Sequence, residues 1–181
     1  MMKQILVSGF GGQGVLAIGK ILAEAAVTEG KEVCFLPAYG AEMRGGSSNV
    51  TVSFSDAEIR CPIAVPGKID VVAVLNKPSL ERFQSYVKTG GTLIVNTDLI
   101  SETDFREDVT VIKIPANSIA EELGNGKAGN MVIAGAIKAS DDLCSEEALV
   151  GALEEVFRTK PKLIPINKEA LFAGMKAGGK A

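Results

Sequence analysis

The chain opens on a short apolar run, Ile5-Leu6-Val7, that stops at Ser8-Gly9, the pattern of a buried strand entering a turn. Beyond a glycine-rich stretch, Val15, Leu16, Ile18, Ile21, Leu22 and Ala25 recur at helical spacing until Gly30 ends the pattern. Glu32–Pro37 predicts a second strand. Asn49–Phe54 predicts a third, with Val50, Val52 and Phe54 alternating against Thr51 and Ser53. Val71–Leu75 and Leu93–Val95 are unbroken apolar runs bounded by Asp70, Asn76, Gly91 and Asn96, as suits strands covered on both faces. Between them, Pro78–Tyr86 reads as a helix with proline in its first turn.

The second half is mainly helical. Val109–Ile114 predicts one more strand, followed by a short helix around Asn117–Leu123 and a turn at Gly124-Asn125-Gly126. Three helices are predicted over Asn130–Ala139, Ser145–Phe157 and Asn167–Ala177, with Ser145 and Asn167 at the N-terminal caps of the last two. No repeat, linker or low-complexity segment interrupts the pattern. The expectation is a single domain over residues 1–181, an α/β fold of three layers (α/β/α) on a mostly parallel or mixed sheet, with a Rossmann-like start.

A chain of 181 residues buries roughly 70% of its unfolded surface and needs no covalent staples. Twenty glycines against only 5% aromatic residues point to close backbone packing in place of large aromatic anchors. The formal net charge is −3, and Lys and Arg are nowhere clustered, which argues against nucleic acid as a partner. No apolar run approaches the roughly 18 residues of a membrane span, and no basic leader precedes the first strand. A cytoplasmic location without membrane contact is therefore expected.

The three cysteines, Cys34, Cys61 and Cys144, form no CxxC pair, so this chain alone builds neither a zinc site nor an iron–sulfur cluster. Cys34 lies in an apolar strand and reads as a small buried hydrophobe. The absence of histidine removes Ser–His and Cys–His nucleophilic schemes and histidine metal sites together. No residue is assigned a catalytic or metal-binding role.

Gly9, Gly11 and Gly14 satisfy G-x-G-x-x-G between a strand and a helix. Glycine permits the tight turn and close approach of a ligand, and free N–H groups at the helix start favour an anion. A dinucleotide site also needs an acid at the end of the second strand, but that strand ends Phe35-Leu36-Pro37-Ala38, and Glu32 stands at its beginning. No Arg takes the acid's place. The loop thus reads as a phosphate-binding loop or as a structural turn, with a complete NAD(P) site, and a free-standing Rossmann oxidoreductase, as the third reading. Gln13 either points at a ligand or caps the helix that follows.

Tyr39-Gly40-Ala41-Glu42-Met43-Arg44-Gly45-Gly46 is too polar and glycine-rich for a helix and connects two strands at an edge of the sheet. Arg44, flanked by paired glycines, suits a bidentate anion contact, although a surface ion pair with Glu42 explains a single Arg as well.

Taken together, GFGGQGV, LPAYGAEMRGGSSNVTVSFSD and VVAVLNKPSLERF resemble the gamma subunit of 2-oxoacid:ferredoxin oxidoreductases. GNMVIAGAIKAS resembles that family's Asn-containing helix and NKEALFAGMKAG its terminal helix, so the likeness covers nearly the whole chain. The resemblance implies a part in oxidative decarboxylation of a 2-oxoacid to its acyl-CoA, with electrons passed to ferredoxin. The AYGAEMRGG style looks most like the 2-oxoglutarate type, with pyruvate next and branched-chain 2-oxoacids and indolepyruvate also allowed by the likeness. It further implies thiamine diphosphate, Mg, iron–sulfur clusters and coenzyme A in the complex, with alpha, beta and delta subunits as partners. This chain lacks the thiamine-binding pattern and the cysteine runs, so those groups would sit on the partners, and the isolated chain would be inactive. By the same likeness Gly9, Gly11, Gly12, Gln13 and Gly14 would form a backbone-lined loop on the CoA side of the active-site cleft, with Arg44 and Asn130 nearby. In isolation the chain would pair its apolar partner surface in a homodimer.

Overall fold

The computed structural model describes residues 2–40, 46–141 and 143–179. The chain runs β1 (Lys3–Phe10), α1 (Val15–Thr28), β2 (Glu32–Tyr39), β3 (Ser47–Ser55), β4 (Ile69–Val74), α2 (Lys77–Phe83), β5 (Val87–Asn96) and β6 (Thr110–Ile114). It ends in α3 (Ala116–Glu122), α4 (Gly129–Ser140), α5 (Glu146–Val156) and α6 (Ile164–Gly178).

Among the described residues the strands form one six-stranded sheet in the order β2-β3-β1-β4-β5-β6. β1, β4, β5 and β6 are parallel, whereas β3 runs antiparallel to both β1 and β2. The sheet is therefore mixed. Val50, Val52 and Phe54 of β3 join Ile5 and Val7 of β1 in a core shared with α1, α3, α4, α5 and α6. Leu6, Val72, Val74, Leu93 and Val95 face the other way, where α2 supplies Leu80 and Phe83. Three layers result, one thick and one thin. No helix among the described residues is long and apolar enough to cross a membrane.

The thick layer depends on missing side chains. Where α4 crosses α6, a Cβ on Gly135 would overlap the Leu171 carbonyl oxygen, and one on Gly174 would stand 2.6 Å from the Val132 carbonyl carbon. Backbone therefore lies on backbone, and α4 is buried from Met131 to Ile137.

Three local expectations change. The last helix begins at Ile164, with proline in its first turn, and Asn167 lies inside it, donating from Nδ2 to the Leu163 carbonyl at 2.8 Å. The helix expected over Pro78–Tyr86 ends at Phe83 and tightens into a 3-10 turn over Gln84–Tyr86. Cys34 is only half-buried, because β2 is an outer strand with Phe35, Leu36 and Tyr39 exposed. Ser145 does cap α5, accepting from the Ala148 N–H at 3.2 Å.

Candidate functional site

The connection from β1 through α1 covers one face of the sheet, and that from β4 through α2 covers the other. β1 and β4 are neighbours, so a crevice opens outside their carboxyl ends, the place where ligands bind in open α/β sheets. A cavity of about 440 Å³ fills it. Gly12 and Gln13 line one wall, Leu75 and Asn96 the strand ends, and Asn117, Lys127 and Asn130 the far side.

The glycine loop is shaped by two amides. Gly9 is buried within β1, and a Cβ there would stand 2.7 Å from Gln13 Oε1. Gly12 and Gly14 hold φ values of 96° and 75°, left-handed backbone that glycine adopts freely. Gly14 is also the N-cap of α1, and no side chain caps that helix. Asn130, in the first turn of α4, donates from Nδ2 to the Gly14 carbonyl at 3.4 Å. Neither α1 nor α4 carries an acid in its first turn, so the positive ends of two helices border the loop.

Gln13 does not cap α1; it lines the cavity. Its Oε1 accepts from the Phe10 N–H at 2.6 Å and from Asn76 Nδ2 at 2.9 Å, so it ties the loop to the end of β4. On its other side the loop meets the β2–β3 connection, since the Gly11 N–H donates to the Gly46 carbonyl at 2.9 Å. Residues 41–45, Arg44 among them, lie outside the described residues. A second cavity of about 290 Å³ flanks the loop here, lined by Phe10, Leu16 and Tyr39.

Asn76, Asn96, Asn117 and Lys127 were not anticipated as site residues. The available signal was an Asn directly after each of two apolar runs. Asn76 accepts from the Ser79 N–H at 3.0 Å and so caps α2. Asn96 Oδ1 accepts from the Ala116 N–H at 3.2 Å, while its Nδ2 donates to Asn117 Oδ1 at 3.0 Å. Lys127 is the one titratable side chain lining the cavity among the described residues. At the start of α2, Lys77 Nζ meets Glu102 Oε1 at 2.5 Å. That hydrogen bond raises the Lys77 ammonium above its ordinary range and holds the Glu102 carboxyl below its own. The site can hold and orient an anion or an amide-bearing ligand; among the described residues its lining offers no acid–base pair for chemistry.

A dinucleotide does not fit this frame. β3 separates β2 from β1, which moves the end of β2 about 10 Å from the glycine loop at ordinary strand spacing. The neighbouring strand end instead presents Ser47 and Ser48, opposite Phe10 and Gly9.

Residues 4–177 match the family model for pyruvate ferredoxin/flavodoxin oxidoreductase. The chain belongs to that family. Among its relatives, the ketoisovalerate oxidoreductase subunit VorA of Methanothermobacter marburgensis is 38% identical over 94% of this chain, which spans only 35% of VorA. The 2-oxoglutarate synthase subunit KorC of Methanocaldococcus jannaschii is 36% identical over 84% of this chain and 82% of its own length. In structure, the chain is similar to the 2-oxoglutarate:ferredoxin oxidoreductase of Magnetococcus marinus, solved with 2-oxoglutarate, coenzyme A and succinyl-CoA bound. The TM-score is 0.88 at 26% identity, over 98% of this chain and 31% of that one. The chain thus spans about a third of the longer proteins it matches and most of the shorter one.

Proposed function

We propose that residues 1–181 act as a single gamma-type domain, the subunit of a 2-oxoacid:ferredoxin oxidoreductase that forms the CoA-facing wall of a shared active site. The observation that carries this reading is the crevice itself. Its lining of backbone, amides and one Lys, between the first turns of α1 and α4, suits a ligand with anionic and amide groups. Coenzyme A has both. Gly11, Gly12, Gln13 and Gly14 would form the loop that meets it, with Gly9 seating Gln13 from behind. Asn130 and Arg44 would complete the site, Arg44 through its bidentate fork.

The redox groups belong elsewhere. Cys34 is half-buried in β2, Cys61 exposed and Cys144 buried, and among the described residues no cluster of His, Cys, Asp or Glu could hold a metal. Thiamine diphosphate, its Mg and the iron–sulfur clusters do not fit this chain's residues, so the reading gives them to alpha, beta and delta partners, which also choose the 2-oxoacid and pass electrons to ferredoxin. The likeness to KorC favours 2-oxoglutarate, and that to VorA a branched-chain acid; pyruvate stays within the class.

Reconstitution with the partner subunits tests the reading. CoA-dependent ferredoxin reduction on one of a panel of 2-oxoacids, requiring this chain, is the expected result. Tight NAD binding by the isolated chain with no effect on such a complex would overturn it. In the complex, Arg44→Ala with unchanged turnover and unchanged apparent CoA affinity would remove Arg44 from the site.

A further inference from the structure

Two backbone donors fix the orientation of two side-chain amides, Gln13 in the crevice wall and Asn76 behind it at the end of β4. The Phe10 N–H donates to Gln13 Oε1, so that atom must be the carbonyl oxygen; the Ser79 N–H likewise fixes Asn76 Oδ1. Asn76 is then left to donate from Nδ2 to Gln13 Oε1, and Gln13 donates from Nε2 to the Leu75 carbonyl at 3.4 Å. The bonds converge on Gln13 Oε1, one arm coming from the start of α2 through Asn76 and the other from the Phe10 N–H in the turn that opens the glycine loop. They cross the switch point of the sheet, because α1 and α2 lie on opposite faces.

From this geometry we infer that Gln13 is a positioning residue: it braces residues 10–14 against the end of β4 and so sets how the loop's N–H groups face the crevice. This rests on the reading that the crevice receives CoA. Both lone pairs of Gln13 Oε1 are already engaged and one Nε2 hydrogen is given to Leu75, so little of the amide is left to contact a ligand directly. Gly9 belongs to the same device, since a side chain there would evict the amide. The first glycine of the fingerprint therefore serves a neighbouring side chain and not a pyrophosphate.

The test compares two variants in the assembled oxidoreductase by amide hydrogen exchange and by kinetics. Gln13→Met keeps the length and volume of the side chain but removes both donor and acceptor; Gln13→Glu keeps the acceptor. Met is expected to speed exchange over residues 10–14 and to raise the KM for CoA about tenfold, with a smaller change in kcat, while Glu restores slow exchange. A packing role alone predicts slow exchange in both variants, because both keep the length and volume of the side chain. Slow exchange in Met, or a Met variant with the wild-type KM, overturns the inference. Adding CoA to the wild-type complex checks the underlying reading separately. Protection of the loop amides upholds the CoA site whatever the variants do; its absence removes that site and with it the role assigned to Gln13.

Discussion

A Cβ on Gly14 would overlap Asn130 Nδ2 and stand 2.7 Å from Asn130 Cγ, so the glycine that starts α1 and the amide that starts α4 occupy one space. The positive φ of 75° at Gly14 adds a second, independent demand for glycine. Gly14→Ala should therefore destabilise the chain by about 2 kcal/mol or more. That corresponds to a fall of roughly 4–8 °C in Tm for a chain of this size. The double variant with Asn130→Ala should recover part of the loss, because it clears the Nδ2 and Cγ contacts but neither the φ nor the Cβ at 3.0 Å. Thermal melts of the single and double variants decide it, and a double variant no more stable than Gly14→Ala would remove the steric argument.

The α4–α6 crossing gives a sharper contrast. On Gly135 a Cβ would stand 2.7 Å from the Met175 backbone nitrogen, and on Gly174 2.8 Å from Val132 Cα, so relief requires moving whole helices. Either glycine changed to Ala should leave little folded protein. Gly151, in the middle of α5, has nothing within 4 Å of its built Cβ and is exposed. Gly151→Ala should stabilise by about 0.5–1 kcal/mol, since glycine in a helix interior carries the larger entropy cost. Denaturant unfolding of Gly135→Ala, Gly174→Ala and Gly151→Ala should rank them in opposite directions from wild type.

Much of this frame is legible along the chain, and what is hidden has a common cause. Strands and helices are marked by local periodicity, so β1, β3, β4 and α1 stand close to their expected bounds. Periodicity carries no information on pairing, so the insertion of β3 between β1 and β2 is visible only in the sheet. The clamp from Gln13 to Asn76 spans 63 positions, and the contact of Asn130 with Gly14 spans 116. The fingerprint left a phosphate-binding loop and a structural turn both open, because glycines that seat side chains and glycines that admit phosphates are identical in a sequence. Asn167 misled for a related reason: a cap residue resembles an interior one that bonds back to the preceding turn.

Acid should loosen the junction between α1 and α5. Glu29, at the end of α1, accepts from the Ser145 backbone N–H at 2.6 Å, and this bond, with a second from the Ser145 side chain, holds its carboxyl below the ordinary value of 4.5. A depressed carboxyl contributes stability that is present above the unfolded pKa and is lost as pH falls through the folded one. Glu29→Gln should thus lower Tm at neutral pH, with the gap to wild type closing below about pH 4.5 as the wild-type carboxyl takes up its proton. Melting curves at pH 7 and pH 3 would show it; a gap that stays constant or widens in acid would contradict the assignment.

Lys127 offers the most direct check on the crevice as an anion site. It is exposed on a 3-10 turn that Asn125 Oδ1 caps by accepting the Lys127 N–H at 3.2 Å, which places the ammonium stem on the rim before α4. No acidic side chain lines the cavity among the described residues, and of these Lys127 and the two helix starts set the field there. If CoA phosphates approach this rim, Lys127→Ala in the assembled enzyme should raise the KM for CoA about fivefold, the scale of one exposed ionic contact, and leave kcat largely intact. The loss should shrink as salt is added, because screening removes from the wild type what the variant already lacks. Lys127→Arg should keep most of the affinity. A KM for CoA that is the same in wild type and Lys127→Ala at low salt would place the phosphates away from this rim.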